Sequence, residues 1–465
     1  MDYTYALMPV VVVMLALLLA RAPVWAAALL GLAVALIQFL LHESETFRVE
    51  WDRGAALLLI ASFVVVPGLT LNGVLKHRKV HGQLADWVQS VPLSTPWKTC
   101  LVVLGIGPAL ESLTGFGISL LATVPVLLAM STPSAAVRQA VLGMAIVPWG
   151  ALALPTNVGA SLSGSSPSEL GVRTALVYLV LMPVVGGVAT ALGKGGPRLL
   201  HRAGPGALCG LGQAFVLVAA NMAGLTVVAG VLAGATVAVT VLLPVLVRRA
   251  VPALPVAVIV PYAAILATVG LARALPFDVR VPVGTESFPL LTSPGLGLLV
   301  ALLMVVRGGT GRAVARAAWS SWRTLCAIGG FVFMAEVMEA MNAFQVLATG
   351  LADAGGLLLA VLSPAMALAS GFLTGSSTSA NAFMMSPQNS LGAAAGIGTL
   401  PATVQNAGAG IAMLASLPTA SLALSVAGVS GRRAEHALIM FNLRLLGVFA
   451  LLLAGVFVGV TLTAR

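Results

Sequence analysis

Polar residues that could bind a small ion stand in two short segments of an otherwise strongly apolar chain. Hydroxyl and amide groups, together with the backbone N–H groups freed where a helix begins, bind anions, and freed carbonyl groups bind cations. We predict that a small anion binds at Thr114, Gly115, Phe116 and Gly117 of the first segment, and at Thr374, Gly375, Ser376, Ser377, Thr378, Ser379 and Asn381 of the second. The alternative is that these small residues only let helices pack closely.

A Leu-Pro-Thr triplet follows each polar segment, at residues 154–156 and 417–419. Proline interrupts the hydrogen-bond ladder of a helix and frees backbone groups. We predict that the triplets and their neighbours complete the site, through Pro155, Thr156, Asn157, Pro418, Thr419 and Ser421. A simple kink without a binding role is the alternative.

Composition indicates the medium in which these residues lie. Hydrophobic residues make up 59% of the chain, charged residues 8%, and the mean hydropathy is +1.05. A soluble core of 465 residues is not that apolar, so the chain is predicted to fold in a lipid bilayer. The net charge of +10 is explained by basic loops between helices, and no nucleic-acid partner is expected. Cysteine and histidine spacing predicts no disulfide framework or metal site, and no cofactor is expected.

Three acidic residues could carry a proton, because ionisable groups inside a membrane are costly and usually functional. Glu111 stands beside the first polar break, and it either couples a proton to transport or pins the break by hydrogen bonds. Glu336 and Glu339 share a helix face and either relay protons or lie near the outer surface.

The apolar runs predict an all-α membrane protein with about 12 transmembrane helices. Uninterrupted runs fall near 3–20, 24–41, 55–75, 174–192, 208–224, 226–247, 253–273, 292–307, 324–345 and 437–463. Two longer runs, 138–166 and 400–428, are broken at the Leu-Pro-Thr triplets. The runs 97–131 and 355–392 are too short for two spans and a loop, so each is predicted to be a re-entrant hairpin with its polar tip near the midplane.

The order of these elements is repeated. Leu113-Thr114-Gly115 and its Leu-Pro-Thr triplet recur, in the same order, as Leu373-Thr374-Gly375 and the second triplet. We therefore predict a first repeat at residues 1–192, linking helices at 193–249 and a second repeat at 250–465. Five crossings per repeat make the second repeat inverted, which places a binding site at the repeat interface.

Loop charge orients the chain, because cytoplasmic loops are rich in Lys and Arg. The basic clusters predicted to be cytoplasmic are Lys76, Arg78 and Lys79; Lys194, Arg198 and Arg202; Arg248 and Arg249; Arg307, Arg312, Arg316 and Arg323; and Arg432 and Arg433. The loop with Glu43, Glu45, Glu50 and Asp52, and the connection 274–291, are predicted to be external, as are both termini. No Lys or Arg is expected at the midplane, so dipoles and hydroxyls would hold the anion.

Two motifs carry a resemblance to the lactate permease family. Residues 110–117, Leu-Glu-Ser-Leu-Thr-Gly-Phe-Gly, resemble one family signature, and residues 371–381, Gly-Phe-Leu-Thr-Gly-Ser-Ser-Thr-Ser-Ala-Asn, resemble another. Pro261-Tyr262 and Trp149-Gly150-Ala151 fall where similar family residues stand. The chain departs from the family pattern at Ser112, at Ser377, at Ile118-Ser119 and in the Leu-Pro-Thr triplets.

The resemblance implies a multi-pass protein of the bacterial plasma membrane that moves a short 2-hydroxy monocarboxylate, such as L-lactate or glycolate, together with a proton. The family is grouped with ion transporters, many of which form homodimers and work by an elevator motion. Coupling to sodium, and transport of another small carboxylate or anion, are alternatives. The predicted spans lack the continuous polar stripe of a channel. They also lack a histidine that could partner the nucleophile of an intramembrane enzyme, so neither a channel nor an enzyme is favoured.

Overall fold

The computed structural model describes residues 3–41, 48–193, 199–352, 356–429 and 431–463. Its helices in chain order are α1 (Tyr3–Leu18), α2 (Val24–Leu41), α3 (Trp51–His77), α4 (Val80–Ser90), α5 (Thr95–Cys100), α6 (Gly107–Thr114), α7 (Ile118–Met130), α8 (Pro133–Leu142), α9 (Gly150–Leu162), α10 (Pro167–Ala191), α11 (Leu199–Met222), α12 (Thr226–Val247), α13 (Val256–Ala274), α14 (Pro294–Val305), α15 (Gly311–Ala340), α16 (Ala343–Ala352), α17 (Gly356–Thr374), α18 (Ser377–Ala394), α19 (Leu400–Met413), α20 (Leu417–Val426) and α21 (Arg432–Thr463). A π-helical turn (Leu101–Ile106) joins α5 to α6, and a 3-10 turn (Val147–Trp149) precedes α9.

The helices confirm a multi-pass membrane protein. Among the described residues, eight helices are long and apolar enough to cross a membrane, or ten if each of two bent helix pairs is one span. The bent pairs are α8 with α9, at 56°, and α15 with α16, at 76°. The count of about 12 spans stays a prediction, because α1 and α14 are shorter than a full span.

One small sheet among the described residues packs against α3. Strands β1 (Arg280–Val283) and β2 (Glu286–Pro289) form an antiparallel hairpin in the connection between α13 and α14. Gly284, with a φ of 60°, allows the tight turn between them. The backbone N–H of Thr285 donates to Asp52 Oδ2 at 2.9 Å and ties this hairpin to the start of α3.

Each half contains a long helix followed by a short one. A left-handed residue separates α3 from α4, Lys79 with a φ of 56°, and another separates α15 from α16, Asn342 with a φ of 56°. The helix α4 buries Val80, Leu84 and Val88 at helical spacing, as expected for an amphipathic helix at a membrane surface.

The residues of each predicted hairpin form a pair of helices, whose re-entrant path through a membrane stays a prediction. In the first hairpin, α5, the π turn and α6 form one arm and α7 forms the other. In the second hairpin, α17 and α18 are the arms. The tips are residues 115–117 and 375–376, where the sequence analysis placed them.

A helix break also lies within each predicted broken span, with a bend of 56° in the first and no bend above 40° in the second. The first consists of α8 and α9, and the second consists of α19 and α20, separated by residues 414–416. Each break lies just before its Leu-Pro-Thr triplet, so Pro155 and Pro418 stand near the start of the following helical segment. Proline is well tolerated there, because the first turn of a helix has no partners for its N–H groups.

The linking helices α11 and α12 pack closely against the first half. Along α10 and α11, a Cβ on Gly186 would lie 2.0 Å from the Gly206 carbonyl oxygen, so the backbones touch. A Cβ on Gly234 of α12 would lie 2.6 Å from the carbonyl oxygen of Gly105 in the π turn. Small residues therefore hold the first hairpin against α12, as is usual between membrane helices.

Some residues used to orient the chain lie outside the described residues: Glu43, Glu45, Lys194 and Arg198. The predicted repeats and their inversion stay predictions, although the two halves contain elements of the same kinds in the same order.

Candidate functional site

One cavity of about 620 Å³ brings the predicted site together. Both hairpin tips and both breaks line one part of it, and residues of α2 and α15 line another. The predicted residues that line it are Glu111, Gly115, Phe116, Gly117, Pro155, Thr374, Gly375, Ser376, Ser377, Thr378, Ser379, Pro418 and Thr419. Segments about 260 residues apart in the chain therefore meet at a cavity of the size that binds small molecules.

The tip of the first hairpin has an unusual backbone. Gly115, Phe116 and Gly117 have φ values of 69°, 59° and 74°, all in the left-handed region that favours glycine. A Cβ on Gly115 would lie 2.6 Å from the Cβ of Ala151, so the tip is packed directly against the first break. Only glycine fits at this contact.

The side chain of Glu111 ties the two arms of the first hairpin together. It is buried, with 1% of its surface exposed. The Gly117 N–H donates to its Oε1 at 3.0 Å, and the Ser119 hydroxyl and N–H donate to its Oε2 at 2.7 and 3.4 Å. The carboxyl group thus sits at the start of α7, where the helix dipole and the free N–H groups would stabilise its ionised form.

The tip of the second hairpin is held by hydrogen bonds between uncharged groups. Gly375 has a φ of 61°. The Thr374 hydroxyl contacts the carbonyl oxygens of Ser370 and Ser376, and the Ser376 hydroxyl accepts from the Ser379 N–H at 3.3 Å. Ser377 is among the residues that line the cavity, and its buried hydroxyl has no hydrogen-bond partner among the described residues. The start of α18 therefore holds one unpaired hydroxyl next to the cavity.

The first break stores backbone strain. Ala151, Leu152 and Ala153 have φ values of 46°, 57° and 62°, although none of them is glycine. Each such residue costs about 1 kcal/mol or more, and such strain collects at functional sites. The Thr156 hydroxyl donates to the Pro148 carbonyl oxygen at 2.7 Å and bridges this break.

A buried amide network joins the second hairpin to the first break. The Asn381 Nδ2 donates to the Pro155 carbonyl oxygen at 2.9 Å and to Asn406 Oδ1 at 2.8 Å. The Asn406 Nδ2 then donates to the hydroxyls of Thr156, at 3.1 Å, and Thr174, at 2.9 Å. Asn381 and Thr156 thus position the cavity wall, and neither lines the cavity in this structure.

Three further predicted site residues do not line the cavity. The Thr114 hydroxyl donates to the Leu110 carbonyl oxygen at 2.6 Å within its own helix. Asn157 is half-buried on α9, and Ser421 is exposed on α20. The helical period turns these side chains away, although their neighbours Gly115, Pro155 and Thr419 line it.

Glu336 and Glu339 also lie away from the cavity, in an ion-pair network around Arg53. The Arg53 guanidinium is 3.5 Å from Glu336 and 3.8 Å from Glu339. It also contacts Glu50, at 3.2 Å, and the Ser161 carbonyl oxygen, at 3.1 Å. This network joins α3, α9 and α15 near the predicted outer surface, which agrees with the structural alternative for the two acids.

The structure adds an arginine that the sequence analysis placed elsewhere. Arg323 lines the cavity from α15, with Ser320, Thr324 and Ala327 on the same helix face. The sequence analysis counted Arg323 among the cytoplasmic basic residues and expected no Lys or Arg at the midplane, so it did not include this residue of the cavity wall. The apolar run begins at residue 324, but α15 begins at Gly311, and this polar first part of the helix was taken for a loop. Spacing of 320, 323, 324 and 327 along one helix face was the signal that could have identified it.

Residues 275–463 match the family model described as L-lactate permease. The match covers α14 to α21, including Arg323, the second hairpin and the second broken span, and it leaves out the first hairpin. A search of curated proteins found no match. The match confirms, for residues 275–463, the resemblance predicted from the sequence, and the matched family is one of transporters.

Proposed function

We propose that this chain, whose residues 275–463 match the L-lactate permease family, is a secondary transporter for a short 2-hydroxy monocarboxylate. L-Lactate is the first candidate substrate and glycolate the second, and a proton is the co-transported ion. The observation that supports this most strongly is the convergence of two hairpin tips and two helix breaks on one cavity. Interrupted helices around a central site are typical of secondary transporters.

The cavity walls suit a small hydroxy acid. Ser376, Ser377, Thr378 and Ser379 present hydroxyls and the N–H groups at the start of α18, which favour an anion. Val147, Met413 and Leu422 line the cavity as well and can pack against a short carbon chain. A site with many hydroxyls and few charges fits a substrate that must be released in every cycle.

We propose that Glu111 carries the co-transported proton. It lines the cavity, and its oxygens accept hydrogen bonds at the first hairpin tip. A proton on the carboxylate changes which of these donors it can accept from, so protonation and tip geometry are coupled. Glu336 and Glu339 are less suitable, because they lie away from the cavity in the ion-pair network around Arg53.

The remaining elements of the proposal concern architecture. Two inverted repeats, 1–192 and 250–465, with linking helices at 193–249, agree with the recurrence of a long helix, a short helix, a hairpin and a broken span in each half. External termini are proposed from the charges of the loops, and a bacterial plasma membrane, a homodimer and an elevator motion are proposed by analogy with the family.

Uptake into proteoliposomes tests the function. We expect saturable accumulation of labelled L-lactate when an inward proton gradient is imposed, and none when a sodium gradient replaces it. Accumulation driven only by a sodium gradient would instead indicate coupling to sodium. The Asn381 Oδ1, which is buried without a hydrogen-bond partner among the described residues, is an oxygen suited to bind sodium. Single-channel currents, or no uptake of any short carboxylate, would contradict the proposal.

The Glu111→Gln variant tests the proton role within the same assay. Glutamine keeps one oxygen for the Gly117 N–H, and the Ser119 hydroxyl can rotate to accept from its amide. We expect loss of proton-driven accumulation but retained exchange of labelled for unlabelled L-lactate. Unchanged proton-driven accumulation would assign the proton to another residue.

A further inference from the structure

Arg323 stands in the middle of a cavity-lining face of α15. Ser320, Arg323, Thr324 and Ala327 all line the cavity, at the spacing of one face of a helix. The Arg323 side chain is exposed and belongs to this cavity-lining face, so its charge is accessible to a solute that enters the cavity.

The charge of Arg323 is not neutralised by the protein. Among the residues that line the cavity, it is the sole Lys or Arg, and Glu111 is the sole acid. Glu111 already accepts from Gly117 and Ser119. No carboxylate of the described residues lies within 4.0 Å of the Arg323 guanidinium, whereas Arg53 and Arg173 both have such partners.

Aromatic side chains hold Arg323 in place. Its guanidinium carbon lies 5.6 Å from the centre of the Trp322 ring, a distance at which a cation and an aromatic face attract each other. Trp322 in turn packs edge-on against Trp25 of α2, with ring centres 5.1 Å apart, and Trp25 lines the cavity. This support keeps a cationic fork at the cavity wall without consuming its hydrogen-bond donors.

We propose that Arg323 binds the carboxylate of the transported anion and selects the ionised acid over neutral molecules of the same shape. The inference rests on the proposed transport function and adds a specificity residue to it. A guanidinium offers two parallel donors to a carboxylate, a geometry that lysine lacks. In the empty cavity, the same unpaired charge also raises the local concentration of small anions.

Initial rates of L-lactate uptake in proteoliposomes test the proposal with three variants. Arg323→Gln should raise KM by about ten- to a hundredfold, as expected for loss of a hydrogen bond to a charged group. Arg323→Lys should give an intermediate KM, because the charge remains without the fork. Arg316→Gln is the matched control, since Arg316 is exposed on the same helix and does not line the cavity, and its KM should equal that of the unaltered protein.

Competition by lactamide, the neutral amide of lactate, separates recognition from structural damage. The unaltered protein should bind L-lactate much more tightly than lactamide. In Arg323→Gln, KM for L-lactate should rise while inhibition by lactamide stays the same. The variant should therefore lose most of its preference for the ionised acid. Equal KM and equal discrimination in Arg323→Gln and Arg316→Gln would overturn the inference. If Arg323→Gln does not fold, Arg323→Lys serves as the test. An unaltered KM for L-lactate in Arg323→Lys would overturn the inference, and a raised KM would support it. Absence of L-lactate uptake by the unaltered protein contradicts the proposed function instead.

Discussion

The two hairpins reach the same cavity, but they differ in what occupies the start of their second helix. At α7 the protein supplies its own anion, the buried carboxylate of Glu111, which accepts from Gly117 and Ser119. At α18 the cap is the neutral hydroxyl of Ser376, and Ser377 is left with an unpartnered hydroxyl. The first tip is thus complete by itself, and the second is open to an anion from outside.

This difference assigns different tasks to equivalent positions. A helix start that already holds a carboxylate has little attraction left for a second anion. We therefore expect substitutions in the first tip to affect the fold and coupling, and substitutions in the second tip to affect substrate affinity. The predictions below follow from that contrast, and each can weaken or refine it.

The largest effect is expected for Glu111→Ala. Removal of the carboxylate leaves the buried Gly117 and Ser119 N–H groups without an acceptor, at about 1–3 kcal/mol for each. Ser376→Ala in the second hairpin removes a neutral cap and should cost only about 1 kcal/mol. Thermal unfolding of the purified variants measures both, and equal losses at the two tips would contradict the contrast between them.

Gly115→Ala and Gly375→Ala should both destabilise the protein, and Gly115→Ala should lower the free energy of unfolding more. A Cβ on Gly115 would lie 2.6 Å from the Ala151 Cβ, whereas a Cβ on Gly375 would lie 3.0 Å from Pro418 Cγ. Both alanine variants add left-handed strain of about 1–2 kcal/mol, and Gly115→Ala adds overpacking of about 1–3 kcal/mol.

Gly164→Ala is the control for these glycine variants. Gly164 has a φ of 64°, but its Cβ would meet nothing within 4 Å. It should therefore show the strain without the clash, and it should transport L-lactate normally. A Gly115→Ala protein as stable and active as Gly164→Ala would show that the tip can move away from the break.

Asn381→Ala should have an intermediate effect, because it separates the two regions. The side chain joins the Pro155 carbonyl oxygen to Asn406, so its loss leaves buried polar groups unpaired at about 1–3 kcal/mol. Gln388→Ala is a suitable comparison, since Gln388 on the same helix bonds only to Ser363 of α17 in the same hairpin. We expect both to lose stability, but only Asn381→Ala to slow transport relative to the amount of folded protein.

Ser377→Ala should have the smallest effect on stability of these variants, but it should weaken the binding of L-lactate. Its hydroxyl is buried without a partner, so removal should leave the unfolding temperature unchanged or slightly raised. L-Lactate uptake should nevertheless show a KM raised about tenfold, through loss of one hydrogen bond to an anion. An unaltered KM would mean that the anion does not reach the start of α18.

The elements that break apolar runs were predictable from sequence, because glycine, threonine and proline interrupt helices for local reasons. The tips at Gly115 and Gly375, and the breaks before Pro155 and Pro418, lie where they were predicted. Arg323 was not predictable in the same way, because hydropathy does not reveal that α15 continues through a polar stretch. The partners of Glu336 were missed since they depend on α3 and α15 packing side by side, which no local pattern encodes.

The volume of the cavity has a consequence for what moves with the solute. A cavity of about 620 Å³ has room for a three-carbon acid and for water molecules beside it. An anion held there keeps much of its hydration, which lowers the penalty of leaving bulk solvent.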